Sequence, residues 1–209
     1  MIFEGFCSGS LESYQLYLSL WLINYCKIEL GKVFCYQLYS GPTVSLLFGL
    51  AGCTGLPDGI EPVDNFNKDR YLGTWYEIAR LDHSFEEGLS QVTAEYTEND
   101  DGSIKVINRG YNEESGEWEE AEGRAVFVDN SGAGHLKVSF FGPFYASYVV
   151  FGLDDHYSRA YITGYNRDYL WLMARTPEVS DSVLEDFKET ARAKGFDLDE
   201  LIIVDQSRQ

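Results

Sequence analysis

From about residue 70 onward, apolar and polar residues alternate with a period of two through most of the chain. That period marks strands with one buried face. In "YLGTWYEIARLD" (71–82), Trp75, Glu77, Ala79 and Leu81 fall on one face and Tyr76, Ile78 and Arg80 on the other. "QVTAEYTE" (91–98) sets Val92, Ala94 and Tyr96 against Gln91, Thr93 and Glu95. Further strands are expected over 104–111, 118–128, 135–141, 147–154, 159–165 and 169–175, with turn sequences such as "NDDGS", "ESGE" and "DNSGAG" between them. Eight short strands at this spacing predict an antiparallel sandwich or barrel. The period then changes. In "SDSVLEDFKETARAKGF" (180–196), Val183, Leu184, Phe187 and Ala191 recur at helical spacing. Ser182 and Glu185 form a candidate capping box, with Ser180 as the alternative N-cap. Gly195 suits a left-handed stop, and Phe196 can pack back on the last turn. "ELIIVDQ" (200–206) reads as a short ninth strand. The expected fold class is all-β: an eight-stranded antiparallel up-and-down barrel, one C-terminal α-helix and a short ninth strand. Such a barrel is either filled by side chains or holds one small ligand.

The first 62 residues follow another pattern. "YQLYLSLWLINYC" (14–26) is apolar but short for a membrane span and has no basic residue before it. A second apolar run, Val44 to Gly52, follows Lys27 and Lys32 and ends at Cys53. "TGLPDGIEPVDNFNKD" after it is rich in Pro, Gly and acids and reads as an extended tether. The expected organisation is an N-terminal extension over 1–52, a tether over 53–62 and the barrel domain over 63–209.

Charge narrows the function. The net charge is -18, and residues 1–52 hold only two Lys and three Glu, so nearly all of the excess lies in the barrel domain. Such a surface repels phosphate backbones, and nucleic acid is not an expected partner. The cysteines are Cys7, Cys26, Cys35 and Cys53, so the barrel has neither disulfides nor thiolate metal sites. His83, His135 and His156 are far apart, with no H-E-x-x-H spacing, and read as loop residues. There is no G-x-S-x-G elbow, and "SGAGHLK" (131–137) lacks P-loop spacing. Neither metal nor cofactor is implied, and the expectation is a binding protein rather than an enzyme.

Three segments carry a family resemblance. "NFNKDRYLGTWYEIAR" (65–80) resembles the first lipocalin signature, a short helical turn followed by G-x-W, here Gly73, Thr74 and Trp75. "LDDHYSRAYI" (153–162) is similar to a loose second signature through Asp154 and Tyr157, and "YLWLMARTP" (169–177) to the third through Arg175. The likeness covers about Val63 to Gln206 and is strongest to bacterial lipocalins. It implies that Arg175 packs over Trp75 beside Gly73 and closes one end of the barrel. A guanidinium on an indole is a cation–π contact worth about 0.5–2 kcal/mol. It also implies a calyx for fatty acids or lysophospholipids, and a bacterial envelope protein linked to binding, transport, membrane maintenance or stress. Alternatives are an isomerase-like lipocalin-fold enzyme acting on a lipid or isoprenoid, with Glu77 or Tyr169 as the reactive group, and a filled-barrel structural protein. A homodimer is left open.

Parity then names ligand contacts. If Trp75 points inward, so does Glu77, which needs a buried partner, water or a ligand headgroup. If Arg175 caps the inside, Trp171 and Tyr169 line the calyx above it. Tyr96, Tyr148 and Val150 belong to neighbouring apolar rows. "FFGPFY" (140–145) is expected to form a rim hairpin that brings Phe141 and Tyr145 to the ligand. Burying a sixteen-carbon chain gains around 12 kcal/mol before ordering costs.

The resemblance also bears on "LAGC" (50–53), which matches a lipobox with Cys53 as the lipid attachment site. Residues 30–52 then read as a signal of ordinary length, and the upstream part as sequence from a start assigned too early. Several acyl chains on Cys53 would hold the protein stably in the outer membrane, with the barrel in the periplasm.

Overall fold

The computed structural model describes residues 54–208 and, before them, only the backbone of a short antiparallel pair, β1 (Ile28–Glu29) and β2 (Lys32–Val33). The chain divides into two units, Met1–Leu50 and Ala51–Gln209. The second opens with a single helical turn, α1 (Lys68–Tyr71), whose N-cap Asn67 accepts a bond from the Arg70 amide. Eight strands follow: β3 (Gly73–Leu81), β4 (Leu89–Glu98), β5 (Ile104–Asn112), β6 (Glu117–Phe127), β7 (His135–Phe141), β8 (Phe144–Leu153), β9 (Arg159–Thr163) and β10 (Leu170–Ala174). Each pairs with its sequence neighbour, and β10 closes onto β3. The result is a closed antiparallel up-and-down barrel, as the period-two pattern predicts, with strand ends within a few residues of those expected.

Two apolar layers hold it. The inner one groups Trp75, Ala94, Tyr96, Ile104, Val106, Leu136, Val150, Ile162 and Met173. The outer one sits between the barrel wall and helix α2 (Asp181–Ala193), where Phe187 and Ala191 pack against Tyr161, Leu170, Leu172 and Ala174. The two layers come from alternate residues of the same strands, as in β10, where Leu172 faces out and Met173 faces in. Ser180, not Ser182, is the N-cap of α2, and it makes no side-chain cap bond; its hydroxyl lies 2.9 Å from that of Ser182. Gly195 ends the helix at a φ of +83°, and the buried Phe196 returns its amide to the Ala191 carbonyl.

Three features depart from the sequence reading. β3 bulges at Ile78: Leu172 of β10 faces Ala79, and Met173 faces Glu77. The extra residue reverses the alternation. Ala79 and Leu81 therefore join the outer layer, and Arg80, expected outside, turns into the barrel. Second, the 53–62 segment, expected to be unpacked, is partly packed: Pro57 is buried, and Ile60 enters the outer layer. Third, the chain end does more than add β11 (Leu201–Ile203) to β3. Pairing of β3 with β4 stops at Tyr76 and Thr93. Beyond that, the tail is sewn into the seam: the Val204 amide bonds the Ile78 carbonyl, and the Gln91 amide bonds the Asp205 carbonyl. The Gln206 side-chain amide spans the seam, donating to the carbonyls of Glu77 at 2.8 Å and Val92 at 2.9 Å.

Candidate functional site

The barrel has one closed end. Gly73 starts β3 at a φ of +94°, a conformation costly for any residue with a Cβ, and this turns α1 across the end. The Arg175 guanidinium lies 4.0 Å above the Trp75 ring. Its Nη1 donates to the Thr74 carbonyl at 2.8 Å, and its Nη2 donates to the carbonyls of Arg70, Tyr71 and Leu72 at 2.8–3.1 Å. Trp75 donates its indole N–H to the Tyr71 carbonyl at 2.8 Å. Tyr157 joins through its hydroxyl, which accepts the Asn67 amide. This is the arrangement expected of Gly73, Trp75 and Arg175.

Above this floor stands a chain of phenols. Tyr71 Oη and Tyr148 Oη are 2.7 Å apart, and Tyr148 Oη and Tyr96 Oη 3.0 Å. Burial pushes all three phenols up, Tyr96 to about 12. They are neutral hydrogen-bonding groups at physiological pH.

The far end stays open. Inward positions on β5 and β6 are small or slender: Asn108, Gly110, Ala121 and Gly123. A Cβ on Gly123 would lie 2.7 Å from the Phe140 ring, so this glycine makes room for that aromatic. Phe140, Val138, Tyr148 and Trp171 face inward yet are only half-buried, and Ala121 is exposed. An inward side chain keeps contact with solvent only where the lumen is not packed shut. The barrel is thus solid at its floor and open at its mouth.

A buried polar cluster lies on the β3 side of that mouth. Arg80 Nη1 bonds Glu77 Oε1 at 2.8 Å, with both side chains 2% exposed. Arg80 Nη2 holds the β3–β4 loop through the carbonyls of Glu86 and Leu89, at 2.8 and 3.1 Å. From the loop, Glu86 Oε2 accepts the Trp171 indole N–H at 3.1 Å and lies 3.1 Å from His83 Nε2, off the line of a hydrogen bond. Burial and the neighbouring Glu86 charge raise the Glu77 carboxyl well above its usual range, against the pull of Arg80. Burial also opposes ionisation of Glu86, but His83, Trp171 and Arg80 outweigh it and hold that group below its usual value. The two carboxyl groups are thus pushed apart, Glu77 toward its protonated form and Glu86 toward its ionised one. Arg80 Nε and His83 Nδ1 are buried with no hydrogen-bond partner among the described residues. The Phe85 ring stacks on His83 at 3.8 Å, and Tyr169 stacks on Trp171 at 6.0 Å.

The structure thus brings Glu77, Trp171, Tyr96, Tyr148 and Val150 to the inside, with Tyr169 at the rim. It does not bring Tyr145. That ring turns to the outer wall, beneath Lys137 Nζ at 5.4 Å and within 3.4 Å of Arg124 Nη1. Tyr145 and Tyr148 are three residues apart, and one regular strand cannot point both inward. Phe141 reaches the rim hairpin but is 72% exposed at its tip. Cys53 lies outside the described residues. Arg80, His83, Glu86 and Asn108 were not picked out as site residues from the sequence. Parity offered Asn108; the others depend on a bulge and a loop path that no period encodes.

Comparison with known proteins agrees with this geometry. The family model described as "Lipocalin-like domain" matches residues 66–206. An outer membrane lipoprotein Blc of Vibrio cholerae is 59% identical over 158 residues, covering 75% of this chain and 92% of that protein. One of Escherichia coli is 47% identical, covering 81% and 96%. Among solved structures, insecticyanin from the tobacco hornworm Manduca sexta shares the fold at a TM-score of 0.60 and 19% identity, covering 74% of this chain and 88% of that one. A barrel closed by an arginine over a tryptophan, matched by the family model along its length, makes this chain a member of the lipocalin family.

Proposed function

We propose that the protein binds single-chain lipids, fatty acids or lysophospholipids, in its calyx. The supporting observation is the lumen itself. Its apolar inner wall remains solvent-accessible at the mouth, and its charged groups are gathered on the β3 side. A long acyl chain suits the apolar wall, because its affinity grows by about 0.8 kcal/mol for each CH₂ buried. In this reading the protein acts at the bacterial outer membrane, tethered through acylated Cys53 with the barrel in the periplasm. There it carries or sequesters lipids for membrane maintenance or under stress. The names of the 59% and 47% identical relatives support that location. The reading is one of binding, not turnover.

Titration with a fluorescent fatty acid tests it. Wild type is expected to show saturable binding with a Kd of about a micromolar or tighter. Trp171→Ala, which removes an inward, half-buried indole, is expected to weaken that binding about tenfold. No saturable binding by the folded wild type would sink the proposal. A mass spectrum of the protein from its native membrane fraction tests the anchor: an N-terminus other than acylated Cys53 overturns it.

A further inference from the structure

The chain carries 34 acidic residues, yet none falls between Asp129 and Asp154. That stretch contains the β7–β8 hairpin. The neighbouring β5–β6 hairpin is the opposite case, with Glu113, Glu114, Glu117, Glu119, Glu120 and Glu122. Because β3 leaves the floor and the strands run up and down in order, both hairpins turn at the mouth. The rim of the calyx therefore has an acidic side and a side without acids.

The side without acids is also the apolar one. Phe141, at 72%, and Phe144, at 41%, are exposed on either side of the Gly142–Pro143 turn. Leu56, at 38%, joins them from the N-terminal segment, where the Ser147 hydroxyl of β8 donates to the adjoining Gly55 carbonyl. These are three of the six large apolar side chains that stand exposed among the described residues. Exposed apolar groups gathered in one place mark an interaction site, whereas scattered ones do not.

Behind the tip lies a polar belt. Lys137 Nζ sits 5.4 Å over the Tyr145 ring, and Arg124 Nη1, whose guanidinium also pairs with Asp101, is 3.4 Å from Tyr145 Oη. Apolar rings backed by a tyrosine and long basic side chains match the layers of a bilayer surface: the rings reach the acyl region, and the belt stays among the phosphates. Charge favours the same partner. The barrel domain carries nearly all of a net charge of -18, so anionic lipid repels most of its surface. The acid-free hairpin is the face it can present. The chain path agrees: Thr54 and Gly55, which directly follow Cys53 in sequence, rest against His135 and Ser147 of this hairpin. Acylation of Cys53 would thus hold the hairpin close to the membrane.

We propose that the β7–β8 tip, with Phe141, Phe144 and the adjoining Leu56, docks into a lipid bilayer, while the acidic β5–β6 hairpin stays in water. The mouth then meets the membrane on its apolar side, and a single-chain lipid passes between bilayer and lumen without crossing bulk water. This rests on the outer-membrane reading above and adds to it the face that meets the lipid.

The test uses the full chain purified from its native membrane fraction, on vesicles of phosphatidylethanolamine and phosphatidylglycerol with or without a brominated phospholipid. A tryptophan is added by Phe141→Trp or, on the acidic hairpin, by Glu114→Trp, and the wild-type emission is subtracted. Bromolipid is expected to quench the emission added by Phe141→Trp about twofold or more, and that added by Glu114→Trp by about a tenth or less. Phe144→Trp gives a second reading of the tip should the first variant fold poorly. Equal quenching on both hairpins, or none on either while the chain sediments with the vesicles, would overturn the docking face and leave the membrane location in place. A blue-shifted, concentration-dependent emission from Phe141→Trp without vesicles would mean that a second copy covers the tip, and would also overturn it. A chain that does not sediment with vesicles would remove the location reading, and the docking face with it.

Discussion

The two ends of this barrel solve the problem of buried polar groups in opposite ways. At the closed end, one arginine spends its donors on five backbone carbonyls and lays its face on an indole, which in turn donates to one of the same carbonyls, that of Tyr71. No side-chain donor or acceptor there is both buried and unpartnered among the described residues. At the open end, a guanidinium and an imidazole sit among two carboxyl groups with donors left over. Satisfied networks rigidify a structure, whereas partly satisfied ones carry a cost that a ligand can relieve. The closed end is built for stability, and the mouth holds unmet bonding capacity next to the space a ligand would enter.

Removing the aromatic floor is the harshest way to test this contrast. Trp75→Ala empties a fully buried indole site and takes away the platform of Arg175. It is expected to cost about 3–5 kcal/mol of unfolding free energy, read by urea titration. A loss under 1 kcal/mol would mean that the closed end is not the stabilising end. Arg80→Met at the mouth is expected to cost somewhat less, about 3 kcal/mol, because it strips Glu77 of its partner and frees two loop carbonyls. Its expected signature is local: faster amide exchange in residues 82–89, with the floor strands unchanged. Uniform loosening of the whole barrel would contradict the division between the two ends.

How far each end was legible follows from the same contrast. The floor is encoded in short segments, G-x-W at 73–75 and the arginine at 175, so its geometry could be anticipated residue by residue. The strands were legible because one face of each is buried. Alternation also placed Trp171 correctly, on the strand that leads into Arg175 of the floor pair. The mouth was not legible for two physical reasons. A single extra residue at Ile78 flips every later side chain of β3, which sent Arg80 inward and Ala79 and Leu81 outward. And His83 and Glu86 come from a loop, whose path is set by its contacts with Arg80 and Trp171 rather than by any period. The Tyr145 error was different in kind: alternation already forbade Tyr145 and Tyr148 from sharing a face.

The smallest expected effect is the most specific to the mouth. Glu77 is pushed toward its protonated form in the folded barrel, above the 4.5 of a free side chain, by burial first and by Glu86 second. A carboxyl whose pKa is raised on folding binds its proton more tightly in the native state. Its contribution to stability is therefore complete below pH 4.5 and declines as pH rises through the raised native value. Glu77→Gln keeps the shape and a donor but cannot ionise. The variant is expected to lose this decline, so its stability relative to wild type should rise with pH above 4.5, by about 1 kcal/mol for each unit of the native shift traversed. Glu86 has the opposite sign: held below its ordinary value, it contributes stability at neutral pH that is lost as acid protonates it. Glu86→Gln should therefore flatten the acid side of the curve, where Glu77→Gln flattens the side above 4.5. Measured by urea unfolding across pH, identical changes in the two variants would mean that the proton is shared evenly between the carboxyl groups, and the opposite directions given to Glu77 and Glu86 would fall.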